Sequence, residues 1–365
     1  MYYLVYGLFY GISLLPTWVL YRISDVLAFF LYYVIRYRRR IVMDNLRNAF
    51  PEKPKRERSE IARKFYRNFT DSFIETLKLL SASPAWLDKH FVIDNPEVME
   101  DFAREGRKIQ LFLGHLFGWE VANVAMPLLT RFTFIVVYMP AGNKVFERLS
   151  LRLRGRTGTV LLPATSMNRA ILPYRNTVYA LALVADQAPG GPENSYWLNL
   201  FGHPTAFIRG AERGSRIGDI PAVFARVYKS GRGRYRSHLT TMADHPALLP
   251  EGELTLRYRD LLEGAIREQP ATWLWSHKRW KFTWNDSFAP HWIDNTPAPI
   301  HNTAAPIDHT PAPTGTPVRA GGETVQTGSP ARVAGETAPT NGAPRTNDSA
   351  FRTNDNASRT DREKI

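Results

Sequence analysis

The chain has 365 residues, 44% of them hydrophobic, with 47 Lys and Arg against 34 Asp and Glu and no cysteine. That length buries a sizeable core as one large domain or two modest ones, while the missing thiols exclude disulfides, thiolate nucleophiles and cysteine-based zinc sites. Residues 300–365 hold seven basic and seven acidic side chains, so the whole surplus of +13 lies in residues 1–299; a basic body points to an anionic partner, whether nucleic acid, a membrane face, an acidic protein or a phosphorylated substrate.

The first twenty residues, MYYLVYGLFYGISLLPTWVL, carry no charge. After Arg22 and Asp25 a second apolar run, VLAFFLYYVI, leads into RYRRR. No basic region precedes the apolar stretch and no small-residue cleavage site follows it, which argues against a signal peptide. The length suits one membrane-spanning helix. Pro16 and the early charges suit a helical hairpin lying in the interface equally well, and a buried hairpin of a soluble protein is the third reading. Arg36, Arg38, Arg39 and Arg40 fit a cytoplasmic flank. Residues 1–40 are therefore expected to be a membrane-associated helical segment.

Pro51 and Pro84 bracket a patterned helix in which Ile61, Phe65, Phe69, Phe73 and Leu77 recur every four residues. Residues 41–94 read as a helical packing region, with the interleaved charges as its solvated face. Over residues 95–294, short apolar runs alternate with helical patterns, the signature of an α/β domain. The expected strands are Ile109–Leu113, Phe134–Tyr138, Val160–Leu162, Val178–Ala185, Pro221–Tyr228 and Tyr235–Leu239, and Leu254–Glu268 reads as a helix ended by Pro270. Several strands are apolar throughout, as in a mixed, largely parallel sheet with helices on both faces. Residues 295–365 are rich in Pro, Thr and Ala and are expected to be disordered. Their terminal repeat, RTNDSAF, RTNDNAS, RTDREKI, lacks the apolar pairs of a coiled coil.

KIQLFLGHLFGWEVANV, residues 108–124, holds the strongest candidate chemistry. His115 and Glu120 diverge on a continuous helix and face opposite ways on a continuous strand. They converge only if the strand breaks between them, which Gly114 and Gly118 permit. A carboxylate on an imidazole fixes its tautomer and stabilises the imidazolium; the plainer alternative is a capping glutamate beside an unrelated histidine. A second polar pair, Asp186 and Gln187, ends the apolar run VYALALVADQAPGG, and in open α/β sheets ligands bind where strands end. A third stretch, QPATWLWSHKRWKFTW, interleaves Trp273, Trp275, Trp280 and Trp284 with His277, Lys278, Arg279 and Lys281. It suits a headgroup or phosphate site, stacked nucleic acid, or a tryptophan-rich edge of the core.

The ordered blocks RYRRRIVMDNLRNAFPE, FYRNFTDSFIETLKLL, GHLFGWE, VYMPAGNKVFERLSLRLRGRTGTVLLP, VADQAP and WLWSHKRWK resemble the late (secondary) lipid A acyltransferases, within the glycerolipid acyltransferase-like group and its His-x4-Asp/Glu motif. The resemblance covers residues 5–285. Phe117-Gly118 departs from the Gly-Asn of many relatives, and the tail is no feature of the family.

The resemblance implies acyl transfer from an acyl carrier protein or coenzyme A thioester, as co-substrate, to a hydroxyl of a lipid A precursor at the bacterial inner membrane. The catalytic domain would lie on the cytoplasmic face. His115 would be the general base, held by Glu120. Arg152 and Arg154 would offer donors to the oxyanion, Lys278, Arg279 and Lys281 would face phosphates or headgroups, and His277, Asp186 and Gln187 would complete the substrate site. No cofactor, metal or nucleic acid is expected. The same chemistry on another acceptor (an amino-acid lipid, a glycosylated phospholipid or a pigment alcohol) and a non-enzymatic, membrane-tethered anion-binding protein are the alternatives.

Overall fold

The computed structural model describes residues 1–299, which belong to one compact unit; most of the tail, residues 300–365, lies outside the described residues. The elements run α1 (Tyr2–Ser13), α2 (Thr17–Phe29, prolonged by a π-helical turn, Phe30–Val34), α3 (Arg39–Ala49), α4 (Lys55–Lys78), α5 (Pro84–His90), β1 (Phe91–Ile93), α6 (Glu97–Arg104), β2 (Ile109–Leu113), α7 (Trp119–Leu129), β3 (Thr133–Tyr138), α8 (Lys144–Arg154), β4 (Val160–Pro163) and α9 (Met167–Ala170). There follow β5 (Tyr179–Val184), β6 (Ser195–Leu200), β7 (His203–Ile208), α10 (Gly210–Ile217), β8 (Ala222–Gly231), β9 (Arg234–Ala243) and α11 (Glu253–Glu268).

Seven strands form one sheet in the order β1-β9-β8-β2-β5-β3-β4, parallel except for the β8–β9 hairpin. The fold is the mixed, largely parallel α/β layer expected from the apolar runs. On central strand β2, Ile109 and Leu111 face the core that holds Val121 and Val124 of α7, while Phe112 faces the core that holds Tyr258 and Leu262 of α11. Both faces are covered, so alternation along β2 disappears from the sequence.

Three strands escape the sequence patterns. β1 has only three residues, and β6 and β7 form a separate antiparallel ribbon. That ribbon is stabilised from far along the chain: Trp197 packs against Trp284 and Phe288. Asn199 Nδ2 bonds Thr296 Oγ1 at 2.9 Å, and Trp284 Nε1 bonds the Pro299 carbonyl at 3.1 Å. The first residues assigned to the tail thus hold onto the domain.

Helix α4 corrects another expectation. A strict four-residue step advances about 40° around the axis each time, so the apolar stripe drifts and Phe73 is exposed while Ile74 is buried. Two of the charges read as solvated, Asp71 and Glu75, are buried instead. Arg232 clasps Asp71 (2.7 Å and 3.0 Å), and Glu75 accepts from Tyr235 at 2.6 Å and from Tyr21 of α2 at 2.9 Å. Burial pushes the Glu75 carboxyl up to about 7, against the hydrogen bond from Tyr235 and the charge of Lys229.

Tyr235 also supports the corner between β2 and α7. Gly118 begins α7 at φ +105°, and a Cβ there would lie 2.5 Å from the Tyr235 ring. Only glycine meets both demands.

Two outcomes follow for unfolding by urea. A native pKa raised above the unfolded value stabilises below the unfolded value, and that stability is lost as pH rises through the native one. Between pH 5 and 8 the wild type should lose roughly 1–3 kcal/mol that Glu75→Gln does not lose; parallel pH profiles would refute the assignment. Gly118→Ala should cost about 2 kcal/mol or more from strain and overpacking, and an unchanged midpoint would contradict the close approach.

Candidate active site

β2 and β5 are neighbours in register, with Leu113 opposite Val184. Two residues further on, the same register delivers His115 and Asp186 side by side at the carboxyl edge of the sheet. Asp186 is 1% exposed and accepts three hydrogen bonds. The His115 backbone N–H donates to Oδ2 at 2.8 Å, the Trp273 indole to Oδ2 at 2.6 Å, and the His115 ring meets Oδ1 through Nδ1 at 2.5 Å. Burial alone would raise this carboxyl, but the charge and hydrogen bonds of His115 and the Trp273 indole outweigh it and hold the group down to about 2.

An ionised Asp186 only accepts, so the proton shared in this bond belongs to Nδ1 of His115. Gln187 Nε2 lies 3.1 Å from the other ring nitrogen, Nε2. The backbone around the ring is fastened as firmly. Phe117 N–H bonds the Thr272 carbonyl at 2.8 Å, and Leu274 N–H bonds the His115 carbonyl at 3.1 Å. Tyr258 donates to the Leu113 carbonyl at 2.7 Å. At Gly114 a Cβ would fall 2.5 Å from Leu262, so this residue lets the corner sit against α11.

Glu120 does not hold His115. Its carboxylate is clasped by the Arg154 guanidinium, with Nε at 2.9 Å from Oε2 and Nη2 on Oε1. Glu120 stands in the first turn of α7 and Arg154 in the last turn of α8, each where its charge complements a helix end. The forked cation gives that carboxylate a partner which a neutral imidazole cannot match. The break at the corner occurs as expected, and the partner is different.

His115, Gln187, Glu120 and Arg154 all line a cavity of about 520 Å³. Beyond them it is lined by Leu111, Ala122, Met126, Phe134, Ala182 and Val227, with Phe91 and Ser237 among the walls. An apolar cavity ending in a few convergent polar groups is the usual form of a small-molecule site.

The remaining expected site residues scatter. Arg152 is exposed, outside the cavity lining, with its guanidinium 4.4 Å from the Tyr6 ring. Lys278 and Lys281 reach the surface away from the cavity. Arg279 cannot face headgroups: it is 2% exposed, bonds the Ala206 carbonyl at 2.9 Å and lies 4.3 Å from the Phe207 ring. Burial pulls its pKa down to about 10, and Asp186 opposes that shift. His277 is half-buried, and burial followed by the Arg279 charge lowers it to about 4, so it is neutral at physiological pH. Trp273 was missed as a site residue. It stood out only as one of four tryptophans, and no spacing distinguishes the indole that reaches Asp186.

No curated protein matches the chain at a significant level. The family model described as bacterial lipid A biosynthesis acyltransferase matches residues 1–282, which takes in the N-terminal helices, both strand ends of the site and most of the tryptophan-rich stretch. The chain belongs to the bacterial lipid A biosynthesis acyltransferases.

Proposed function

We propose that the chain transfers a fatty acyl group from a thioester of acyl carrier protein or coenzyme A to a hydroxyl of a lipid A precursor. We place this reaction at the cytoplasmic face of the inner membrane, with His115 as general base. The observation that carries the reading is the Asp186–His115 pair, with Nδ1 held by the buried carboxylate and the ring lining a largely apolar cavity.

In this reading Asp186, rather than Glu120, orients the ring. Nε2 takes the proton of the acceptor hydroxyl as its oxygen attacks the thioester carbonyl. The tetrahedral oxyanion forms beside Arg154, which Glu120 holds in place, and the guanidinium offsets the developing charge. When the carbon–sulfur bond breaks, the imidazolium returns its proton to the departing thiolate. Direct attack suits a chain without cysteine. The acyl chain would lie along the apolar walls, so Phe91 and Met126 are candidates to limit its length.

His115→Ala should lower kcat about 10²–10⁴-fold with purified enzyme, carrier-protein thioester and lipid A precursor. Full activity would end the assignment. Asp186→Asn frees the ring to adopt the wrong tautomer and should cost on the order of 10³–10⁴ in kcat. Arg154→Ala should cost about 10²–10³, mainly in kcat rather than KM; a pure KM effect would move Arg154 from the oxyanion to ground-state binding. The acceptor is tested by mass spectrometry of lipids from a deletion strain. Loss of one acyl chain from lipid A supports the reading, and unchanged lipid A with another lipid altered would replace the acceptor while keeping the chemistry.

A further inference from the structure

We infer that α1 and α2 lie within one leaflet of the bilayer without crossing it, and that the surface they dock continues to the mouth of the catalytic cavity. The inference deepens the membrane reading above and rests on it.

Among the described residues, Thr17–Val34 is the helical window long and apolar enough to cross a membrane, and 22% of it is buried in the fold. Its midpoint is fastened to charged groups of the α/β domain. Ser24 Oγ donates to Asp71 at 2.7 Å, and Tyr21 donates to Glu75 at 2.9 Å. Asp25, ninth of the eighteen residues, accepts from Arg232 at 2.8 Å and from Arg67 at 3.0 Å. The turn after α1 is tied to the end of α4, where Lys78 bonds the carbonyls of Ser13 at 2.9 Å and Leu15 at 3.2 Å.

A spanning α2 would carry its middle to the bilayer centre. Arg232, Arg67 and Asp71 would go with it, along with the length of α4 beside it. Charges at that depth are strongly disfavoured. An in-plane α2 keeps them above the hydrocarbon while burying its other face. That face exposes Trp18, Val26, Phe29, Phe30 and Tyr33, which at about 100° per residue fall within a sector of about 120°. Arg22 is exposed among them, placed for an anionic headgroup.

The apolar surface continues beyond these helices. Arg148 of α8 covers the rings of Tyr2 and Tyr3, 4.2 Å and 5.6 Å from their centres, and so brings the start of α1 against α8. Tyr3 and Leu4 are 72% and 79% exposed, Phe146 on α8 is 54% exposed, and Met139, which lines the catalytic cavity, is 72% exposed. A lipid acceptor in the docked leaflet would thus meet the cavity from the side.

Because the natural chain has no cysteine, single-cysteine variants report depth cleanly. Purified full-length Trp18→Cys, Val26→Cys, Val34→Cys and Phe146→Cys, each labelled with a polarity-sensitive fluorophore, are reconstituted into vesicles of phosphatidylethanolamine and phosphatidylglycerol. Lipids spin-labelled at shallow or deep positions serve as quenchers. In-plane docking predicts that all four probes are quenched at least twofold more by shallow than by deep labels. Val26 quenched best by the deep label, with Trp18 and Val34 at opposite surfaces, would overturn the inference while keeping membrane association. Absence of the protein from floated vesicles would overturn both. Activity of each variant on detergent-dispersed substrate shows that it is folded.

Discussion

The buried carboxylate of Asp186 is the constraint around which this molecule is arranged. A charge removed from water must be met by donors, and here they come from two separate parts of the chain. The His115 ring and backbone arrive from the end of β2, the Trp273 indole from the stretch after α11, and the carboxylate itself from β5. Meeting that demand draws the β2 corner, the β5 end and the tryptophan segment together, and it fixes which face of the His115 ring meets the carboxylate. Arg279 is a second buried ion nearby, covered by Phe207 and pulled toward its charged form by Asp186.

The separation of the two carboxylates and their partners has a chemical logic. A carboxylate that served both His115 and Arg154 would divide its charge between the proposed base and the proposed oxyanion donor. With Asp186 on the histidine and Glu120 on the arginine, each pair is set independently, and both open on the same cavity. His-x4-Glu spacing therefore brings its two residues to one cavity without bringing them into contact.

Much of this was legible in the sequence. The two apolar runs ending in His115 and Asp186-Gln187 were visible because strands covered on both faces leave uninterrupted hydrophobic stretches, and polar residues at their ends stand out. Glycines at 114 and 118 marked the break. The partners of the charges were not legible. Glu120 prefers Arg154 because two helix ends meet there, and that meeting is fixed by tertiary packing thirty-four residues along the chain. Nor does sequence separate Arg279 from Lys278 and Lys281: all three are basic and close together, yet only Arg279 points into the hydrophobic interior. Asp71 and Glu75 were hidden for a related reason, since a charged residue on an amphipathic helix reads as solvated until its buried counter-charges are seen.

Tyr235 gives the chain one more property. Its hydroxyl closes the Glu75 carboxylate that anchors Tyr21 of α2, and its ring fills the space beneath Gly118 at the start of α7. The N-terminal helices and the β2–α7 corner are thereby not interchangeable modules. A chimera that grafts residues 1–40 from a relative onto this body would transplant cleanly only if the graft still fitted the Glu75–Tyr235 pair that lies against Gly118.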